Sequence, residues 1–467
     1  MEKDMNTATS LPSPEINCIS RFDRLPFKGN IVGVIVLLAV ISVLEAFDIG
    51  IIGQTVLVLK SHWNLTPAQT GMLGTCSTCG VIIGTFCCGF LADRFGRKTV
   101  LMFAVLDFTF FTLITPLVDS FSWIVVMRFL AGLGSGAVFP IPYLFISEII
   151  GSKTRGLVFA YCNSILQGAY ILPSTVGAWA VSTFEPDMAW RVPYIIGGLP
   201  IIAVWLIHRY LPESPRWLIM KGRTSEAVSL LERLERSAGI APDATYADPA
   251  VARALTATNT QTASWSQLFR PPYLIRTIVS YSMFCAALVF TYVVMVYSPI
   301  IFSNKGFSSS VAVLCSGIMM FIGVFSGIVC GHFIEKYGRK RMYILFATLA
   351  AVFGLSLAYI DNRYVFLGVG LVFAFCGCAL FSICKLYIAE QYPTVLRGKG
   401  AGCGEAVSRI FGGVLSAYIL SFFLDIGSVN IVFWYMATCY MVAVVLLAVW
   451  GRETMGRSVD DTGNSES

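Results

Sequence analysis

The sequence predicts an all-α membrane protein, with twelve transmembrane helices in two pseudo-symmetric six-helix bundles. Three observations carry this. Of 467 residues, 56% are hydrophobic and only 13% charged, which is not a soluble composition. Apolar runs of about 18 residues or more recur along the whole length, each long enough to cross a bilayer core. One short basic turn, Gly89-Phe-Leu-Ala-Asp-Arg-Phe-Gly-Arg-Lys-Thr-Val-Leu101, returns as Gly331-His-Phe-Ile-Glu-Lys-Tyr-Gly-Arg-Lys-Arg341.

The repeat has a fixed offset. Asp93 and Glu335 stand 242 positions apart, and so do Arg97 and Arg339, Glu148 and Glu390, and Arg155 and Arg397. Four matched charges at one spacing mean two copies of one half. The spans fall near 31–58, 67–91, 98–118, 121–149, 155–183 and 190–210, then 275–302, 309–334, 341–360, 364–389, 398–424 and 430–450. The domains follow as an N-terminal tail 1–30, a first bundle 31–210, a linker 211–274, a second bundle 275–450 and a tail 451–467.

Charge bias sets the orientation. Arg94, Arg97, Lys98, Lys153, Arg155, Lys336, Arg339, Lys340, Arg341, Arg397, Lys399 and Arg452 share one side, against Lys60, Lys305 and Arg363 on the other. The first side is expected to be cytoplasmic, with both termini there. The expected location is the cell membrane, plasma or bacterial inner. This bias accounts for the net charge of +6 and calls for no nucleic-acid partner. Residues 1–30 lack the apolar core of a signal peptide. The fourteen cysteines lie mostly inside apolar runs, and Cys76-Ser-Thr-Cys79 has no second pair and only three histidines in the chain. No metal and no cofactor is expected.

Along the chain, the first span carries Glu45 and Asp48 on one helix face. A carboxylate at such depth costs several kcal/mol unless protonated or paired. The second span holds Gly80 and Gly84, a seam for close packing. The fourth has Arg128 followed by Gly132, Gly134 and Gly136. Arg128 lies at a depth similar to Asp48 and needs an anion. Asp107, in the third span, has no partner legible in the sequence, so a structural role and a coupling role both stay open. The fifth span carries Asn163 and Gln167. The linker contains an amphipathic helix from Thr224 to Ser237. Span seven has Tyr281, Tyr292 and Tyr297; span ten Phe375, Phe381 and Lys385; span eleven Glu405 and Arg409, four apart. Glu453 after the last span echoes Glu213.

The two halves also disagree. Charges present in both halves (Asp93, Arg97, Glu148 and Arg155; Glu335, Arg339, Glu390 and Arg397) flank the inner span ends. They suit a salt-bridge network that forms in one conformation and breaks in the other, or helix-end pairing under the positive-inside rule. Glu45, Asp48 and Arg128 fall instead opposite Ala287, Phe290 and Gly370, while Lys385, Glu405 and Arg409 fall opposite Tyr143, Asn163 and Gln167. Unduplicated buried charge fits a site between two specialised halves, or mutually neutralising pairs with a packing role.

Gly89 to Leu101 resembles the loop motif between spans two and three of the major facilitator superfamily. With its second copy, the Arg128–Gly136 run and Pro212-Glu-Ser-Pro-Arg-Trp-Leu218, it resembles the sugar-porter and organic-ion branch. Phe22-Asp-Arg-Leu-Pro26, Glu45-Ala-Phe-Asp48 and Glu390-Gln-Tyr-Pro-Thr394 look like bacterial metabolite/proton symporters of the niacin-permease and aromatic-acid type. The resemblance implies alternating access about a central cavity, with Asp48 at the acidic position of span one and Arg128 its partner. Glu45 stands where Asp is frequent. Span seven lacks the Gln-Gln and Gly-x-Asn pattern of hexose carriers.

The expected function is proton-coupled import of a small organic solute, a carboxylate such as an aromatic or pyridine carboxylic acid. Asp48, Glu45 and Arg128 are the expected coupling residues. Arg409, Gln167, Phe47, Tyr292 and Phe375 are the expected substrate contacts. The partners are the solute, protons and the bilayer, around a monomer. An organic-cation, drug or sugar facilitator or exporter of the same fold is the alternative, and a non-transporting sensor a further one. An enzyme is not expected, because no phosphate loop, HExxH or GxSxG occurs.

Overall fold

The computed structural model describes residues 14–150, 152–241, 264–392, 394–425 and 429–454. Among these residues every regular element is helical. The helices used below are α1 (Pro14–Asp23), α2 (Asn30–His62), α3 (Pro67–Phe95), α4 (Arg97–Ile114), α5 (Phe121–Val138), α6 (Pro140–Ile149), α7 (Ser152–Ala169), α8 (Ile171–Thr183), α9 (Arg191–Gly198) and α10 (Thr224–Ala238). After the linker come α11 (Leu274–Tyr292), α12 (Ser309–Phe321), α13 (Gly323–Tyr337), α14 (Arg339–Tyr359), α15 (Arg363–Glu390), α16 (Thr394–Ser408), α17 (Ser416–Asp425) and α18 (Val429–Trp450). Among the described residues, eleven helical stretches are long and apolar enough to cross a membrane. The expected span at 155–183 is not among them, being laid down as α7 and α8 on either side of Tyr170.

Local chemistry starts and stops these helices. Thr66 and Gln69 form a reciprocal capping box ahead of α3, with Pro67 at its first position. The basic turns end α3 and α13 at Gly96 (φ +101°) and Gly338 (φ +92°), a backbone region that favours glycine. Each turn is then held by a carboxylate. Glu213 Oε1 accepts the N–H groups of Arg97 at 2.9 Å and Lys98 at 3.1 Å. Glu453 accepts those of Arg339 at 2.8 Å and Lys340 at 3.1 Å. An anion against the free amides of a helix start is the favourable placement. The repeat therefore extends to the residues that close it.

Small residues set the tightest packing. A β-carbon on Gly80 would stand 2.1 Å from the Phe129 oxygen, and one on Gly132 2.1 Å from the Ser77 oxygen. Only glycine lets α3 and α5 approach this closely.

The two halves of the chain meet along their ends remote from the basic turns. There α3 packs on α17, α8 on α12, and α2 on the π-helical turn Val293–Tyr297. Gly53 faces the Met295 carbonyl so closely that a β-carbon would sit 2.2 Å from it. No comparable packing joins α6 to α16 near the basic turns, among the described residues. Packing between the halves is thus strongest at the far end, among the described residues. Against the basic end of the first half, α1 docks on α10 through Arg21 and Glu235, 2.6 Å apart and both buried.

Candidate functional site

Asp48 and Arg128 meet. The Arg128 Nη1 donates to Asp48 Oδ1 at 2.9 Å, with the two side chains 1% and 3% exposed. The third-span helix completes the arrangement: Arg128 Nη2 donates to Thr112 Oγ1 at 2.7 Å and Thr115 Oγ1 at 3.2 Å, and Thr112 donates to Asp48. The ring of Tyr194 on α9 lies 4.7 Å from the guanidinium, and its hydroxyl bonds Thr55 at 3.0 Å. Hydrogen bonds to both Nη atoms and the Tyr194 ring offset the burial of this pair, while Arg128 Nε has no hydrogen-bond partner among the described residues. Thr112, Thr115 and Tyr194 carry no charge, so the sequence offered no signal for them. Neither Asp48 nor Arg128 lines the central cavity.

That cavity, of about 80 Å³, lies between the halves. Its wall includes Arg409, Gln167 and Tyr292, three of the expected contacts, together with Phe139, Tyr170 and Phe381. Tyr292 bonds Thr78 across the interface between the halves. Arg409 begins a π-helical turn, Arg409–Leu415, and Tyr292 directly precedes another. Such turns re-aim side chains and recur at functional sites. Phe47 and Phe375 are not brought to the cavity. Phe47 packs against Gly197 of α9, and Phe375 faces Phe346 with ring centroids 6.3 Å apart.

Charge in this region is shared between the halves. Glu45 is buried and lies within electrostatic reach of Arg409, Asp48 and Lys385. Arg409 pairs with Glu405 at 2.8 Å and stacks over Phe139 at 5.2 Å. Among the cavity residues the sequence reading missed is Phe139, at the joint of α5 and α6. Its signal was weak: one ring between a glycine run and Pro140. Asp107 acquires a partner too, accepting the Gly134 N–H at 2.9 Å.

At the basic turns, Arg97 reaches Asp93 at 2.9 Å and Glu148 at 3.6 Å, and Ser214 donates to Glu148. Arg339 holds Glu390 at 3.0 Å, and Thr454 donates to Glu390 at 2.5 Å. All these ties run within one half of the chain. The side chains of Arg155, Glu335 and Arg397 lie outside the described residues.

An all-helical membrane protein with an internal duplication, and a charged cavity between its halves, is a membrane transporter by class. The chain belongs to the Sugar (and other) transporter family, whose pattern matches residues 34–464. It is 25% identical to the niacin transporter of Acinetobacter baylyi over 96% of this chain and all of that one. It is 27% identical to a 4-hydroxybenzoate transporter of the same organism, over 80% of this chain and 81% of the other. In fold it resembles the xylose transporter XylE from E. coli in a partially occluded inward-open conformation, with TM-score 0.74, 19% identity and coverage of 91% and 99%. An integral membrane transporter, and not an enzyme, is what this family membership establishes.

Proposed function

We propose that this transporter imports a small aromatic carboxylate, of the nicotinate or hydroxybenzoate kind, together with a proton. The reading includes twelve spans in two six-helix bundles, 31–210 and 275–450, joined by a cytoplasmic linker at 211–274. Both tails, 1–30 and 451–467, are cytoplasmic, and the working unit is a monomer.

One observation carries the carboxylate: the cavity presents a guanidinium, Arg409, among the rings of Phe139, Tyr292 and Phe381. A planar fork beside aromatic faces suits an aromatic acid, with charge met at one end and ring at the other. Gln167 offers a further polar contact. The relatives whose names print niacin and 4-hydroxybenzoate support the same class.

Coupling is assigned to Asp48 with Arg128, assisted by Glu45. In the conformation open at the far end, Asp48 takes a proton and releases Arg128. In the conformation closed there, Arg128 returns, which is the contact seen at 2.9 Å, and the proton leaves toward the cytoplasm. The networks of Asp93, Arg97 and Glu148, and of Glu335, Arg339 and Glu390, with Arg155 and Arg397, are assigned the switch. Ties near an interface can bias such an equilibrium by a few kcal/mol.

Uptake of labelled nicotinate and 4-hydroxybenzoate into proteoliposomes, with and without an inward proton gradient, tests this. Gradient-driven accumulation of an acid, lost in Arg409→Ala, is expected. Preferential uptake of an organic cation or of xylose, indifferent to the gradient, would overturn it.

A further inference from the structure

We propose that Lys385 is a second anion subsite, which receives the carboxylate after Arg409 on the route from the cavity to the basic-turn end. This rests on the carboxylate substrate proposed above. Lys385 lies on α15 five residues before Glu390, the partner of Arg339, so it sits about one and a half turns from the basic end.

Its surroundings are unusual for an ammonium group in a membrane helix. Nζ lies 4.6 Å from the ring centroid of Phe381, 4.8 Å from that of Phe139 and 5.9 Å from that of Tyr143. Among the described residues no carboxylate oxygen comes within the 4.0 Å of an ion pair. Glu45 and Glu405 act on it only from farther away, and Glu405 is already bound to Arg409 at 2.8 Å. Aromatic faces return only part of what a cation loses on leaving water. Of the two cations in this region, Arg409 has its counter-ion and Lys385 has none among the described residues.

Phe139 links them. Its ring has the Arg409 guanidinium at 5.2 Å and the Lys385 ammonium at 4.8 Å. Phe139, Phe381 and Arg409 belong to the cavity wall, while Lys385 stands behind the two rings and keeps partial exposure. Phe139 precedes Pro140, where the chain passes from α5 to α6 and one helical hydrogen bond is missing. A carboxylate leaving Arg409 past this ring meets Lys385 next. The sequence departs from its own repeat here, since Tyr143 occupies the matching position in the first half.

The test uses the full chain in proteoliposomes, with labelled 4-hydroxybenzoate and nicotinate as probes. Lys385→Gln should bind either acid within about threefold of the native affinity, because Arg409 is intact, and exchange it at least tenfold more slowly. Lys385→Arg should restore exchange to within about threefold. Native exchange by Lys385→Gln, in a protein whose unmutated form binds the acids, removes the subsite and leaves the substrate class standing. Failure of the unmutated protein to bind either acid removes both. If Lys385→Gln does not fold, Lys385→Arg decides: folded, binding and tenfold slower, it overturns a role that needs only the positive charge.

Discussion

Replacing Asp48 by Asn separates the charge of the pair from its shape. The amide keeps an oxygen where Asp48 Oδ1 accepts from Arg128 at 2.9 Å and from Thr112. It leaves a guanidinium 1% exposed with two threonine hydroxyls and the Tyr194 ring, and no counter-charge in hydrogen-bond contact. Breaking a buried pair in this way costs about 3–5 kcal/mol. Removing both partners in Asp48→Asn with Arg128→Gln should recover most of that loss, since the two effects are not additive for residues in contact. Function should not recover with it. One pH unit of gradient is worth about 1.4 kcal/mol per proton, or about tenfold accumulation of a solute carried one-to-one. In proteoliposomes carrying that gradient, native protein should concentrate an aromatic acid about tenfold, and Asp48→Asn about onefold, while exchange without a gradient persists in both. Tenfold accumulation by Asp48→Asn would remove the pair from the coupling mechanism.

Further outcomes follow from the same geometry. Gly53→Ala places a β-carbon 2.2 Å from the Met295 carbonyl, and overpacking of this order costs about 1–3 kcal/mol. The far end should open more often, read as faster labelling of Cys79 by an impermeant maleimide added on that side. Glu213→Gln weakens two charge-assisted bonds to the α4 amides, so thermal unfolding should reveal a loss of about 1–2 kcal/mol, matched by Glu453→Gln in the second half. Arg21→Ala strips a counter-charge from fully buried Glu235 and should expose the α1–α10 contact to limited proteolysis. Glu235 also holds the Arg21 guanidinium above its ordinary, already strongly basic range, so that group's contribution is complete below that range and lost only at still higher pH. The cleavage pattern should therefore stay constant from pH 7 to 10.

Eleven of the twelve expected spans were legible, all but 155–183, because apolar runs of membrane length need no tertiary context. The duplication was legible because charges at span ends keep their spacing when a segment is copied. It was even understated. Cys88 and Cys330, 242 positions apart, each point their thiol at a carbonyl, those of Ala137 and Ala379, which are also 242 apart. The pairing of Asp48 with Arg128 was legible from depth and mutual need. Asp107 was not, because its partner is a backbone amide, which every residue but proline possesses.

The sequence alone determined the helices, their repeat, the basic turns and the set of buried charges, all properties of single segments in lipid. Tertiary packing decided which of those charges meet the cavity. Phe47 and Asp48 are neighbours on α2, yet about 100° of helical rotation turns one to Gly197 and the other to Arg128. Periodicity tells which residues share a face, but not which helix that face meets. The joining of Arg409, Phe139 and Lys385 from three separate elements was therefore settled only by the way the helices pack.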